Sequence, residues 1–164
     1  MSRELRSPFL VCNPKCYLYG QKAYDLAKVA EELAVKYDVD IIFTGSLVDL
    51  ARMAKDFPHL IICAQNMEEL RPGKGMGHLL PDALKEAGVQ ATFLNHAENP
   101  KTVSQLTDTI ARAKELGGSK NPSVTESCER LIGTLNPNKS EDGKALTQLL
   151  DELKAIEVSK EGDK

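Results

Sequence analysis

The apolar run Phe9-Leu10-Val11-Cys12 is followed at once by Asn13-Pro14-Lys15, and this stretch decides the fold. A short, continuously apolar segment that ends in polar residues is typical of a strand buried in a parallel sheet. The same arrangement recurs at residues 91–94, which are followed by Asn95-His96-Ala97-Glu98. Because ligands of parallel α/β folds bind at the carboxyl ends of strands, both polar segments are candidate sites.

A strand–helix unit repeats four times over the first 117 residues. Strands are predicted at 9–12, 39–43, 60–64 and 91–94, and helices at 20–37, 48–57, 79–87 and 102–116. Continuously apolar strands that are each followed by an amphipathic helix predict a parallel sheet with both faces covered. We therefore expect an α/β fold in which all four strands are buried.

Two of the predicted helices carry a clear apolar face at steps of three and four residues. On the first helix, the inward residues are predicted to be Ala23, Leu26, Ala27, Ala30, Leu33, Ala34 and Tyr37. On the fourth helix, they are predicted to be Val103, Leu106, Ile110 and Ala113. Both faces are expected to pack on the sheet.

The strand–helix pattern stops after Gly118. Residues 119–137 are rich in Ser, Asn, Pro and Glu and contain no apolar run of four residues. A last helix is predicted over 140–156, with Ser140 as its N-cap and leucines along one face. We expect a single α/β domain over residues 1–164, with 118–164 as a divergent or truncated part.

The composition is that of a soluble globular protein, with 41% hydrophobic and 27% charged residues. The net charge of −3 does not predict binding to nucleic acid or to an anionic membrane. No apolar run approaches the ~20 residues of a membrane helix, and the first residues lack the apolar segment of a secretion signal. We therefore expect a cytoplasmic protein without a nucleic acid or membrane partner.

The four cysteines do not form a metal or redox motif. Cys12, Cys16, Cys63 and Cys128 include no C-x-x-C pair, and none is spaced from a histidine as in a zinc site. Cys12 and Cys63 lie inside apolar runs, so we interpret them as buried thiols. No metal or other cofactor is expected.

Asn13 and Lys15 are the first candidate site residues. Alternation at a strand end would point both to one side, with Pro14 pointing away. A lysine ammonium in that place suits a phosphate or a developing oxyanion. These residues alone also allow a surface lysine after a turn-forming Asn-Pro pair.

His96 and Glu98 are the second candidate pair. A neutral imidazole at a strand end can donate a proton or a hydrogen bond to a substrate carbonyl oxygen. The carboxylate of Glu98 could orient a neighbouring lysine. The alternative is a histidine that caps the turn before Pro100.

The loop Arg71–His78 contains three glycines and looks like a phosphate cradle. It is neither a Walker A sequence nor a dinucleotide fingerprint. The alternative is a turn whose glycines adopt positive φ angles.

Three motifs together resemble the triosephosphate isomerase family. Residues 9–15 are similar to that family's strand-one Asn-x-Lys motif, and Ile-Cys-Ala-Gln-Asn at 62–66 to its strand-three Ala-Gln-Asn motif. Leu-Asn-His-Ala-Glu at 94–98 is similar to its strand-four Gly-His-Ser-Glu motif. The resemblance covers residues 9–117 and implies a (β/α) barrel, here with four clear units and a C-terminal helix.

The resemblance also implies a reaction without a cofactor, the interconversion of glyceraldehyde 3-phosphate and dihydroxyacetone phosphate. Lys15 would stabilise the phosphate and the enediolate charge, and Asn13 would help to place this small phosphorylated substrate. His96 would act as a neutral electrophile, a role already established for the family. Glu98 would brace the lysine.

An inter-subunit loop is a further implication of the resemblance. Gln65, Asn66 and Lys74 belong to the segment that would form this loop. A homo-oligomer is therefore implied, and a dimer is the first expectation.

The sequence departs from the family's pattern after residue 117. The family's catalytic base is a Glu-Pro glutamate just before a hinged lid, and Leu131-Ile132-Gly133-Thr134 resembles the end of that lid. Ser127 occupies the position of the base, and Glu126 and Glu129 lie nearby but out of register. Two alternatives thus stand beside an isomerase: a non-catalytic half-barrel used for binding or assembly, and a protein that binds another phosphorylated ligand without the catalytic base.

Overall fold

Four parallel strands alternate with four helices in the computed structural model, which describes residues 5–117. In chain order the elements are β1 (Phe9–Cys12), α1 (Gly20–Tyr37), β2 (Asp40–Gly45), α2 (Leu47–Asp56), β3 (Leu60–Ala64), α3 (Pro81–Glu86), β4 (Ala91–Thr92) and α4 (Val103–Glu115). This alternation confirms the predicted α/β fold. The helix predicted over 140–156 lies outside the described residues.

Each strand pairs in parallel with its neighbour in sequence, in the order β1-β2-β3-β4. Val11 lies beside Ile42 in register, and Ile42 lies beside Ile61. Consecutive parallel strands joined by helices are the arrangement of a (β/α) barrel. The described residues therefore form four units of an incomplete barrel, and the carboxyl ends of all four strands lie along one edge of the sheet.

The core lies between the sheet and the helices α1 and α2. Phe43 of β2 and Ile62 of β3 belong to this core and are almost fully buried. The buried residues of α1 are alanines at helical spacing, namely Ala23, Ala27, Ala30 and Ala34. Small side chains opposite large ones let the two layers interdigitate. Leu50 and Met53 of α2 complete the packing.

The prediction that every strand is buried is wrong for β1. Phe9, Leu10 and Val11 are 43%, 57% and 49% exposed. The physical reason is that β1 is an edge strand of the described sheet, while α1 packs chiefly over β2. The apolar run at the start of the chain therefore makes a strand without the burial that such a run predicts.

The predicted apolar face of α1 is too wide. Leu33 and Tyr37 are 41% and 64% exposed, although both were assigned to the inward face. The alanines of α1 contact the sheet, and the larger side chains lie at the edges of this contact. The predicted stripe therefore holds for its alanines and for Leu26, which is half-buried and packs against the core.

The inward face of α4 also differs from the prediction. Its most buried residues are Thr109 and Arg112, whereas Leu106 and Ile110 of the predicted stripe are half-buried. Arg112 is held inward because its guanidinium donates to Asp82 of α3 at 2.6 Å and to Glu115 at 2.8 Å. The ion pairs of the buried Arg112, which periodicity does not reveal, thus explain why an arginine faces inward on this helix.

Helix α3 and strand β4 are both shorter than predicted. Helix α3 begins at Pro81, because proline lacks an N–H and is favoured at the first helical position. Strand β4 ends at Thr92, although the Phe93 N–H still donates to the Ala64 carbonyl at 2.9 Å. The chain then turns at Asn95, whose φ of 56° is incompatible with a continuing strand.

Within residues 5–117, no helix is both long enough and apolar enough to span a membrane.

A matched pair of leucine truncations tests the unequal burial of the strands. Leu60 of β3 is 1% exposed and Leu10 of β1 is 57% exposed. We expect Leu60→Ala to lower the free energy of unfolding by about 2–5 kcal/mol and Leu10→Ala by less than about 1 kcal/mol. Urea unfolding of both variants measures the difference. Equal losses would show that β1 is covered after all.

The pH dependence of stability tests the Arg112 cluster. Hydrogen bonding to Arg112, followed by the charge of Arg71, lowers the pKa of Glu115. Because the folded-state pKa lies below the unfolded one, this stabilisation is complete above the unfolded pKa and is lost as the pH falls through the folded pKa. We expect Glu115→Gln to lower the melting temperature at neutral pH. The difference in melting temperature between the variant and the wild type should disappear in acid. A difference that is independent of pH would contradict this assignment.

Candidate active site

The loop after β1 holds Lys15 in an uncommon backbone conformation. The Asn13 side-chain oxygen accepts a hydrogen bond from the Lys15 N–H at 2.9 Å, and the Tyr17 N–H donates to the Pro14 carbonyl at 3.2 Å. Lys15 itself has a φ of 51°. Positive φ is uncommon for residues other than glycine, and such strained positions concentrate at functional sites.

Gln65 joins this loop to the end of β3. Its side-chain amide donates to the Lys15 carbonyl at 2.8 Å, and its amide oxygen lies 4.0 Å from the Cys16 thiol. The bond fixes the backbone of Lys15 and leaves its side chain unconstrained. Within residues 5–117, no carboxylate lies within ion-pair distance of the Lys15 ammonium. This exposed charge can therefore meet an anion.

A hydrogen bond within its own loop favours one tautomer of His96. The Glu98 N–H donates to Nδ1 of His96 at 3.2 Å. An imidazole nitrogen that accepts a hydrogen bond carries no proton, so in the neutral ring the proton lies on Nε2. Oε2 of Glu98 lies 3.7 Å from the same Nδ1, too far for a hydrogen bond. The ring, whose side chain is 35% exposed, thus offers Nε2–H as a donor.

Glu98 does not contact Lys15 in the described structure. Its side chain is 69% exposed, and its Oε2 lies 3.7 Å from Nδ1 of His96. A lysine that does pair with a carboxylate is Lys101, which lies 3.5 Å from Glu68 and has a side chain only 4% exposed. The sequence did not reveal this pair, because the two residues are far apart in the chain and neither belongs to a periodic pattern.

The sheet brings Lys15 and His96 to the same edge but not side by side. Lys15 follows β1 and His96 follows β4, the two outer strands of the described sheet. Three inter-strand spacings of about 4.8 Å separate these strands, or about 14 Å across a flat sheet. The curvature of a barrel shortens that path. Gln65, which follows β3, lies between them.

The residues predicted for the inter-subunit loop differ in exposure. Asn66 is only 6% exposed and donates to Oε1 of Glu68 at 3.2 Å, so its side chain serves the loop internally. Lys74 is exposed, as is Met76, which is fully accessible. The apex of the loop therefore offers contact surface, whereas its base belongs to the folded chain.

The three loop glycines have the positive φ angles of a turn. Gly73, Gly75 and Gly77 have φ values of 99°, 84° and 83°. At Gly75 a β-carbon would also lie 2.3 Å from a methyl group of Leu70. This agrees with the turn interpretation.

The cysteines differ in burial and in the pKa of their thiols. Burial raises the pKa of the Cys63 thiol to about 12 and also raises that of Cys12, so both remain protonated. The interpretation as a buried thiol is confirmed for Cys63, whereas Cys12 is half-buried and Cys16 is exposed. No group of three His, Cys, Asp or Glu side chains that could hold a metal occurs between residues 5 and 117. Glu126 and Glu129 lie outside the described residues.

Comparison with known proteins extends the match beyond single motifs. The family model described as triosephosphate isomerase matches residues 8–121. Triosephosphate isomerase of Saccharolobus solfataricus is 30% identical over 115 residues, which is 69% of this chain and 50% of that protein. The enzyme of Pyrobaculum islandicum is 33% identical over 115 residues, with the same coverage of 69% and 50%.

The enzyme of Methanocaldococcus jannaschii is 29% identical over 150 residues, which is 90% of this chain and 62% of that protein. The chain thus spans about half the length of the first two relatives and somewhat more of the third. The strand order, the polar edge and these matches agree, and the chain belongs to the triosephosphate isomerase family.

Proposed function

We propose that this protein binds a small phosphorylated carbonyl compound at the carboxyl edge of the sheet and interconverts triose phosphates. The observation that carries the proposal is the hydrogen bond from the Glu98 N–H to Nδ1 of His96 at 3.2 Å. It leaves Nε2–H of a neutral ring as the donor to a substrate carbonyl oxygen. A neutral donor of this kind stabilises the charge that develops on the oxygen as an enediolate forms.

Lys15 provides the positive charge of the proposed site. Its ammonium is exposed, and within residues 5–117 it has no carboxylate partner. Such a point charge suits both the substrate phosphate and the developing enediolate. Asn13 holds the Lys15 backbone through its side-chain oxygen, and its amide nitrogen remains to contact the substrate.

The base is assigned to the segment that contains Glu126 and Glu129. Proton abstraction from carbon requires a general base, and these two carboxylates lie closest in sequence to the family's base position. Because neither is in register, we expect turnover well below that of relatives with the usual glutamate. A general base is typically worth ~10²–10⁴-fold in rate.

A second function, a binding module without catalysis, is favoured by one observation. Glu98 lies beside His96 and not beside Lys15, so the described site lacks the carboxylate that would brace the lysine. Such a module would bind the phosphorylated compound and leave it unchanged.

Proton exchange at the substrate carbon distinguishes the two functions. If a base removes a proton from dihydroxyacetone phosphate, the enediolate is reprotonated from solvent and the product carries deuterium in D₂O. We expect the wild-type protein to incorporate deuterium slowly, and proton NMR measures this incorporation. We also expect a decrease of at least ~10²-fold in His96→Gln, which lacks the donor, and a comparable decrease in Lys15→Met, which lacks the charge.

His59→Gln is the control, because His59 precedes the opposite end of β3 and pairs with Glu31. It should exchange at the wild-type rate. Binding of the substrate without exchange would favour the non-catalytic module, and absence of both binding and exchange would contradict either function.

We further propose that the protein forms a homodimer, with the loop Arg71–His78 in the interface. The full exposure of Met76 and the partial exposure of β1 support this proposal, since both present apolar surface to solvent. Closed two-fold pairing is the commonest symmetry of soluble oligomers.

A charge at the apex of this loop tests the dimer. We expect Met76→Lys to shift the protein towards monomer in light scattering, because a lysine would be desolvated in the interface. Val35→Lys is the matched control, since Val35 is 56% exposed on α1, and it should leave the mass unchanged. A wild-type monomer, or a Met76→Lys variant that still dimerises fully, would contradict the assigned interface.

A further inference from the structure

Lys101 is the most deeply buried basic side chain among the described ion pairs. Only 4% of it is exposed, and its ammonium lies 3.5 Å from Oε2 of Glu68, which is 22% exposed. Lysine is almost never buried unless it is paired, because an isolated charge loses its hydration. Oε1 of the same carboxylate accepts a hydrogen bond from Asn66 at 3.2 Å and lies 3.9 Å from His78.

Lys101 closes the loop that carries His96. Its N–H donates to the side-chain oxygen of Asn95 at 2.9 Å, and Asn95 has a φ of 56° immediately before the histidine. Inside this loop, the Asn99 N–H donates to the His96 carbonyl at 2.8 Å. Residues 97–100 are all exposed, so packing does little to order them. The loop is therefore ordered mainly by the hydrogen bond between its two ends, Asn95 and Lys101.

Glu68 is itself fixed at the neck of its loop. Its N–H donates to the Leu79 carbonyl at 3.0 Å, so the chain returns beside it after the glycine turn. The carboxylate is thus a stationary anchor on the β3 side, whereas Lys101 belongs to the β4 side. The ion pair joins the two loops.

We propose that Glu68 and Lys101 form a clamp that positions His96. The clamp fixes the position of Lys101 at the end of the 95–101 loop. The Lys101 N–H in turn fixes the Asn95 side chain at the start of the loop. The loop closed in this way places the Glu98 N–H within hydrogen-bond distance of Nδ1 of His96. Glu68 and Lys101 are positioning residues that act on the ring through the backbone. The proposal rests on the proposed function for its consequence in catalysis, but its geometry is measurable without turnover.

Nitrogen-15 NMR of the full chain tests the clamp. In the wild type, the two ring nitrogens of His96 should show the distinct shifts of an Nε2–H tautomer, and the Glu98 amide proton should exchange slowly. In Lys101→Met and Glu68→Gln we expect the Glu98 amide to exchange about tenfold faster or more, since the loop then opens locally. The two ring nitrogen shifts should also move towards each other as both tautomers become populated. Lys101→Arg, which keeps the charge, should restore the wild-type signals.

A double variant keeps the clamp testable if a single variant fails to fold. Glu68→Gln/Lys101→Met removes both charges together, so neither is left buried without its partner. It should fold and still show the fast Glu98 exchange. Arg71→Met is the matched control, because it removes an ion pair with Glu115 whose side chains are 66% and 44% exposed and which does not touch the 95–101 loop.

Unchanged Glu98 exchange and unchanged ring shifts in the folded double variant would overturn the clamp. If the wild type shows the single tautomer but neither binds nor exchanges a triose phosphate, the proposed function fails while the clamp stands. If the wild type is active, loss of the clamp should lower kcat and leave KM near its original value, since the phosphate contact of Lys15 is not part of it.

Discussion

Parallel pairing of the strands is the constraint on which the rest of the structure depends. Because β1 to β4 all run in one direction, every loop that follows a strand begins at the same edge of the sheet. This pairing is stable only if the helix-facing side of the sheet is covered. The buried alanines of α1 against Phe43 and Ile62 supply that cover. The hydrophobic core and the polar edge are thus two consequences of one arrangement.

At the polar edge, local hydrogen bonds replace packing as the source of order. Lys15 and Asn95 both adopt positive φ, and an asparagine side chain closes each turn by accepting a hydrogen bond from a backbone N–H. Asn13 accepts from Lys15, and Asn95 accepts from Lys101. Gln65 then ties the first loop to β3, and the Glu68–Lys101 pair ties the fourth. The loops after β1 and β4 are therefore both anchored on the segment that follows β3. In this respect the third loop is the structural centre of the proposed site.

The sequence predicted the fold well because apolar runs and helical periodicity report burial directly. It predicted less where one partner of a contact is distant in sequence. Leu10 sits in an apolar run like any buried strand, and only the sheet order shows that its strand lies at an edge. Arg112 lies on the inward face of α4 because it pairs with Asp82, and the spacing of residues along the helix does not predict this pair. Among site residues, the position of His96 at a strand end followed from its motif, whereas Lys101 had no local signal. Glu98 was expected to brace Lys15, but its side chain lies beside His96.

The central claim is that the loops after β1 and β4 form one phosphate-binding site. It is tested most directly by titrating the ¹⁵N-labelled chain with glycerol 3-phosphate and following the backbone amides of residues 13–16 and 95–98. The account predicts that both groups of signals shift together and fit one dissociation constant. Signals that shift in only one loop, or two loops that saturate at separate concentrations, would contradict a single site.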